Sequence, residues 1–201
     1  IINSFEEYMR ENHMKINVED DEYKNEEEIK DNCEIEIHNF KFKFSYFYKF
    51  KNEGIYNIKY IFKNKIRKIN HLFSDCKNIE YIDFTNFNTQ NIINMKNLLY
   101  NCELLKNINF TNFNTSNVID MSHFFEKCIN LEMINVKNFN TENVLNMSSM
   151  YAECKNLFTI DLSNFNTKNV INMNNMFYGT KIKEINISNF NTKNVTDMGN
   201  M

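Results

Sequence analysis

Cysteines recur at Cys76, Cys102, Cys128 and Cys154, each 26 residues after the last. Thiolates in a regular series could bind metal or pair as disulfides. The spacing opposes both. Equivalent positions on adjacent repeat helices lie about 8–10 Å apart, and a disulfide needs Cα atoms closer than about 7 Å. A zinc site needs four ligands within about 2.3 Å of one point, and the Cys-x-x-Cys pairs that supply them are absent. The column is therefore expected to hold buried free thiols acting as small apolar residues. Cys33 stands outside the column, and its state is left open.

The other chemical residue types form no constellation. His13, His38, His71 and His123 share no ligand spacing. His71 and His123 fall in one repeat column with Asn97, Ser149 and Asn175, which reads as a polar outer position. No Ser-His-Asp or Cys-His arrangement stands out, and no glycine-rich phosphate loop is present. No catalytic residue, cofactor or metal is expected, and the chain is not read as an enzyme. The asparagine column Asn91, Asn117, Asn143, Asn169 and Asn194 suits a ladder of amides bonding the neighbouring turn. A structural role is likewise preferred to ligand binding for Asn88, Asn114, Asn140, Asn166 and Asn191. Five glycosylation sequons, at Asn109, Asn114, Asn146, Asn186 and Asn194, follow from the Asn- and Thr-rich composition.

The elements that position these residues come from an internal repeat. Asn-Phe-Asn-Thr begins at Asn86, Asn112, Asn138, Asn164 and Asn189, at intervals of 26, 26, 26 and 25. Met95, Met121, Met147, Met173 and Met198 keep the same intervals. The missing residue lies near 181–183, where Thr180 also replaces the cysteine, so an irregularity is expected there. In each unit, Met121, Phe124, Phe125 and Cys128 show the i, i+3, i+4, i+7 spacing of one helix face. Leu105, Ile108 and Phe110, or Leu157, Ile160 and Leu162, end in the alternation of a short strand. Asn-Phe-Asn-Thr-x-Asn-Val follows as a turn whose Phe and Val plug the core. One unit cannot bury its apolar side alone; neighbouring units can. The fold class read from this pattern is an α/β repeat solenoid. It is a right-handed assembly of short parallel strands on a concave side and short helices on a convex side, the arrangement of the leucine-rich repeats that Leu-x-x-Ile-x-hydrophobic resembles.

Residues flanking the buried strand positions face outward and form three columns. The first is Tyr81, Asn107, Met133, Thr159 and Glu184. The second, uniformly acidic or amide, is Asp83, Asn109, Asn135, Asp161 and Asn186. The third is Thr85, Thr111, Lys137, Ser163 and Ser188. A variable strip beside a uniform one suits a protein- or glycan-binding surface, and these are the candidate site residues.

Leu-x-x-Ile-x-hydrophobic resembles the strand consensus of leucine-rich repeats. The fuller string at 161–177, Asp-Leu-Ser-Asn-Phe-Asn-Thr-Lys-Asn-Val-Ile-Asn-Met-Asn-Asn-Met-Phe, resembles the BspA-type repeat proteins, which include surface and lipoprotein repeats of mycoplasmas. The resemblance covers about 69–201. It implies a cell-surface or secreted protein linked to adhesion, without catalytic residues. Its alternative is a cytoplasmic scaffold joining protein partners.

Three segments are expected: an acidic helix or tail over 1–13, a β-rich capping module over 14–68, and the repeats over 69–201. The strand candidates of the module are 15–18, 34–37, 41–44 and 55–62, with a turn at 52–54 and an acidic loop or frayed helix over 20–31. Ile66, Ile69, Leu72, Phe73 and Cys76 would form a first, atypical repeat helix. Hydrophobic residues make up 42% of the chain, enough for a core, and proline is absent, which disfavours flexible linkers. Acidic residues concentrate in 1–36, and basic ones in 41–68, where Glu53 is the sole acid. Mutual attraction or solvation is the simplest use of the two blocks, so no nucleic-acid partner is expected. No apolar run reaches the roughly 18 residues of a membrane-spanning helix, and no signal peptide is visible. Beginning at Ile1 and stopping at Met201 inside a repeat, the chain reads as a fragment. The pattern sets no oligomeric state.

Overall fold

The structure is a computed structural model, and it describes residues 26–44, 50–63 and 66–201. The expected helix or tail at 1–13 and the strand at 15–18 lie outside the described residues. Helix α1 (Glu26–Asn32) occupies the end of the acidic segment read as a loop or frayed helix. Three antiparallel strands follow: β1 (Cys33–Ile37), β2 (Phe40–Lys43) and β3 (Ile58–Phe62), in the order β2-β1-β3. The β1–β2 connection is two residues, His38 and Asn39, with φ of 49° and 67°. Two consecutive positive φ values make the turn whose twist matches a hairpin. Alternation in β1 buries Cys33, Ile35 and Ile37. It leaves Glu34 and Glu36 to pair with Lys63 (2.5 Å) and Lys59 (3.7 Å). Tyr60 and Phe62 of β3 reach Phe73 and Phe87 of the repeats at ring-centroid distances of 5.6 and 4.9 Å. The module and the repeats thereby share one core.

From residue 69 onward the expected α/β leucine-rich-repeat solenoid is overturned. No α-helix forms there, and no continuous sheet. The strands are very short: β4 (Tyr81–Asp83) pairs in parallel with β5 (Asn107–Asn109), and β6 (Met133–Ile134) with β7 (Thr159–Ile160). Single parallel bridges join Lys68, Asn94, Asp120, Asn146, Asn172 and Asp197 in sequence. The architecture is one of small sheets and turns.

The segments expected as helices are ribbons of turns. Within 95–102, the N–H groups of Leu98, Tyr100 and Cys102 donate to the carbonyl three residues earlier (3.1, 3.1 and 3.3 Å). Those of Met95, Asn97, Leu99 and Asn101 donate instead to Asp120, Ser122, Phe124 and Glu126 of the next repeat (3.0, 3.0, 3.0 and 2.8 Å). Every second N–H therefore leaves its own segment, where a helix would keep all of them at i−4. Two positions per repeat are left-handed. One column is His71, Asn97, His123, Ser149 and Asn175 (φ 54–60°). The other is Asp75, Asn101, Lys127, Glu153 and Gly179 (φ 57–72°). A left-handed residue every fourth position interrupts any right-handed helix. The inward set is nevertheless the one the spacing selects: Met121, Phe124, Phe125 and Cys128 are wholly buried. Ile66, Ile69, Leu72, Phe73 and Cys76 are buried too, but in the same turn geometry and not in a helix.

The turn after each strand is fastened by side chains. Buried Thr115, Thr141 and Thr167 each accept from the N–H of Asn140, Asn166 or Asn191 (2.7, 2.8 and 2.7 Å). Their hydroxyls donate to the carbonyls of those same residues (2.9, 3.1 and 3.1 Å). One hydroxyl thus clips two repeats twice. Phe113, Phe139, Phe165, Val118, Val144 and Val170 fill the core beneath. At 181–187, next to the one-residue deletion, no strand forms, so Glu184 and Asn186 of the candidate columns are not strand residues.

Candidate functional site

The first candidate column follows from the parallel register. Tyr81 lies opposite Asn107, and Met133 opposite Thr159. With Ile82 and Ile134 buried beneath, their neighbours must face out. Tyr81 is 57% exposed and Met133 61% exposed, while Asn107 and Thr159 are also at the surface. Leu104 and Phe158 lie close in sequence to this column and are exposed as well. Neither was singled out from the sequence. Their signal was an apolar residue in columns otherwise occupied by Asn78, Asn130 and Asn156, or by Glu80, Lys106 and Glu132.

The second column has a local task. A carboxylate or amide oxygen of Asp83, Asn109, Asn135, Asp161 and Asn186 accepts from the backbone N–H two residues on. The donors are Thr85, Thr111, Lys137, Ser163 and Ser188, at 2.9, 3.0, 3.2, 3.0 and 3.1 Å. Asp and Asn are the residues that close this turn, so the uniformity of the column is accounted for by backbone geometry. The Thr85 hydroxyl also donates to Asp83 (2.6 Å), and both bonds hold the Asp83 carboxyl below its usual range. Asp161 is lowered likewise by Ser163, with a smaller contribution from Lys137, 3.8 Å away. The Asn109 amide donates to the Thr85 hydroxyl (2.8 Å), tying two repeats together. The third column supplies the donors of these turns. The first column and its apolar neighbours close no such turn, and Lys137 of the third column also stays exposed.

The cysteines are all free and buried, Cys33 included. Three of the column thiols have partners that the sequence did not suggest. Cys102, Cys128 and Cys154 donate S–H to the carbonyls of Phe73, Leu99 and Phe125 in the preceding repeat (3.1, 3.2 and 3.0 Å). Burial raises the Cys154 thiol to about 12 and lifts Cys102 and Cys128 well above the ordinary value, which leaves them unreactive at neutral pH. Asn117, Asn143, Asn169 and Asn194 donate to backbone carbonyls one repeat back (2.8, 2.7, 2.7 and 2.7 Å). They form the expected ladder, at the surface and not in the interior. His71 meets the Asn97 amide (3.3 Å), and the His123 imidazole meets Glu126. His13 lies outside the described residues. Among the described residues no three His, Cys, Asp or Glu side chains converge as metal ligands, and no helix is long and apolar enough to cross a membrane.

The repeat period, the turn columns and the module before them run together through the family model described as Mycoplasma protein of unknown function, DUF285, which matches residues 14–130, 67–183 and 134–201. The chain belongs to this family. The DUF285 matches overlap and the first begins at residue 14, so the module and the repeats fall under one family description. No curated protein and no solved structure matches the chain significantly. The DUF285 description carries no activity, and the geometry above is what bears on function.

Proposed function

We propose that this chain is a non-catalytic recognition module that holds a protein or glycan ligand on its strand face. The observation that carries the reading is the exposure of Tyr81 and Met133, each opposite a surface residue of its partner strand, Asn107 and Thr159. Large apolar side chains in such positions cost solubility and suit contact with a ligand. The other columns supply the rigid turns that hold this one in place. Within DUF285, the string at 161–177 points to kinship with the BspA-type surface proteins, and the proposed setting is the cell surface or the secreted fraction. A cytoplasmic scaffold for protein partners is the second reading. The free thiols favour it, since oxidising compartments favour disulfides.

The test is binding of the purified chain to a glycan array and to a displayed random-peptide library, repeated with Tyr81→Ser/Met133→Ser. Ligands recovered by the wild type and lost by the variant are expected. Ligands that the variant retains, or none recovered, would refute the strand face. Biotinylation of intact cells decides the setting, with labelling expected for a surface protein and none for a scaffold.

A further inference from the structure

Strand β2 is the edge of the three-stranded sheet and is exposed along its whole length. His38 and Asn39 close the β1–β2 hairpin, and such a turn brings the Phe40 N–H to the Ile37 carbonyl. From there, antiparallel pairs alternate between those that exchange hydrogen bonds and those that do not. Phe40 and Phe42 therefore turn their backbone groups to Ile37 and Ile35 of β1, while Lys41 and Lys43 turn theirs away from the sheet. Among the described residues nothing meets those outward groups.

The side chains of this edge sort by face. Phe40 and Phe42 lie on the side of buried Ile37 and Ile35 and are 70 and 39% exposed, so the apolar face of the sheet continues past the core. Lys41 and Lys43 lie on the other side, opposite Glu36 and Glu34 in register. Those carboxylates pair instead with Lys59 (3.7 Å) and Lys63 (2.5 Å). Charge on this face thus runs positive, negative, positive across β3, β1 and β2. Among the described residues no carboxylate forms an ion pair with Lys41 or Lys43, and the face ends on a positive row.

Strand β1 shows what such a row accepts. Its Glu-Ile-Glu-Ile, 34–37, lies against Lys43, Phe42, Lys41 and Phe40 in turn. The same side chains flank the open side of β2, because side chains stand above and below a sheet and serve both neighbours. A second copy is disfavoured there, since β2 against β2 sets lysine across from lysine. A nucleic acid would meet the ammonium groups but leave the outward backbone groups unpaired.

We propose that the open edge of β2 is a docking site for an extended acidic peptide segment in which carboxylates alternate with aliphatic side chains. The segment adds as a fourth strand. Its backbone pairs with Lys41 and Lys43, its carboxylates meet their ammonium groups, and its aliphatic side chains cover Phe40 and Phe42. The site is separate from Tyr81 and Met133 and does not depend on what they bind.

Fluorescence anisotropy of the 201-residue chain with a labelled, end-blocked peptide of alternating glutamate and isoleucine, about six residues long, tests this. A dissociation constant of about 1–100 µM is expected for so small an interface. The lysine–isoleucine counterpart and a single-stranded oligonucleotide should not bind at the same concentrations. Amide exchange at Lys41 and Lys43 should slow in the complex. Lys41→Gln/Lys43→Gln should weaken binding at least about tenfold and leave circular dichroism unchanged, because both side chains are at the surface. The peptide comparison and the exchange read the wild type alone, so they decide the matter whatever the variant does. No binding of the glutamate peptide up to about 1 mM, equal binding of either control, or unslowed amides at Lys41 and Lys43 would each overturn the proposal, as would a folded variant that binds like the wild type.

Discussion

Tyr151 offers a sharp test of how the repeats pack. Its side chain is wholly buried between two rings, parallel to Phe125 at 5.4 Å and 7°, and to Phe177 at 5.7 Å and 1°. Its hydroxyl has no hydrogen-bond partner among the described residues. A buried hydroxyl left unpaired costs about 1–3 kcal/mol. Tyr151→Phe removes that cost and keeps the stack, since the column already holds phenylalanine on either side. Against the gain stands the space the oxygen vacates. A void of about 10 Å³ at roughly 24 cal/mol per Å³ costs about 0.2 kcal/mol. The net expectation is a stabilisation of about 1–2 kcal/mol. For a chain of this size each kcal/mol moves the melting temperature by about 2–4 °C, so Tm should rise by about 2–8 °C. The assay is urea unfolding followed by far-ultraviolet circular dichroism, with a parallel thermal melt. An unchanged denaturant slope with a higher midpoint supports the reasoning. A loss of more than about 0.5 kcal/mol would refute it, because the hydroxyl would then have to be paired in the folded chain.

Three further outcomes follow from the same packing. Phe139→Ala empties a buried ring site and should cost about 3–5 kcal/mol by urea unfolding; a cost under about 1 kcal/mol would place that ring at the surface. Thr141→Val deletes both bonds to Asn166 and should cost about 1–3 kcal/mol, whereas Asn143→Ala, at the surface, should cost less than about 1 kcal/mol; a reversed order would contradict the clip. Alkali should unfold the chain through its thiols. Burial raises Cys33 and Cys154 from 9.0 to about 12, so the folded state favours the neutral thiol. Its stabilising contribution is whole below pH 9 and is lost as pH rises from there towards 12. The urea midpoint should therefore fall from about pH 9 upward, and native Cys76, Cys102, Cys128 and Cys154 should react slowly with a thiol reagent. A flat midpoint or rapid labelling would show the thiols to be accessible.

The period and the inward columns were legible because burial repeats with residue type. Phe139, Val144, Met147 and Cys154 stand inside wherever the 26-residue register puts them. The element type was not legible from spacing. Met121, Phe124, Phe125 and Cys128 face one way in a helix and equally in a ribbon of turns. What separates the two is the left-handed pair in each repeat. Of those columns Gly179 announces its conformation most strongly, Asp75, Asn97, Asn101 and Asn175 only tolerate it, and at Gly179 an added Cβ would also come within 2.9 Å of the Glu153 carboxylate. Lys127 and Glu153 adopt positive φ at a local cost of about 1–2 kcal/mol each. Their N–H groups donate to Ala152 (2.9 Å) and Tyr178 (2.6 Å) of the next repeat. A bond to a residue 25 positions away is what offsets a strained local conformation, and no window the length of a helix contains it.

The candidate site was legible in part for a related reason. Facing outward is a property of alternation, so Tyr81 and Met133 could be read as exposed before any coordinates. The Asp/Asn column also faces outward, but its uniformity reflects the turns it closes and not a ligand strip. The discriminating feature was two residues further on. Asp83 precedes Thr85, Asn109 precedes Thr111, and Asp161 precedes Ser163, the spacing of a side chain that closes its own turn. A column held constant by a turn is constrained at every repeat, whereas one free to meet a ligand is constrained only where the ligand touches. Variation from Tyr81 through Asn107 and Met133 to Thr159 is therefore the better mark of a recognition surface in this repeat.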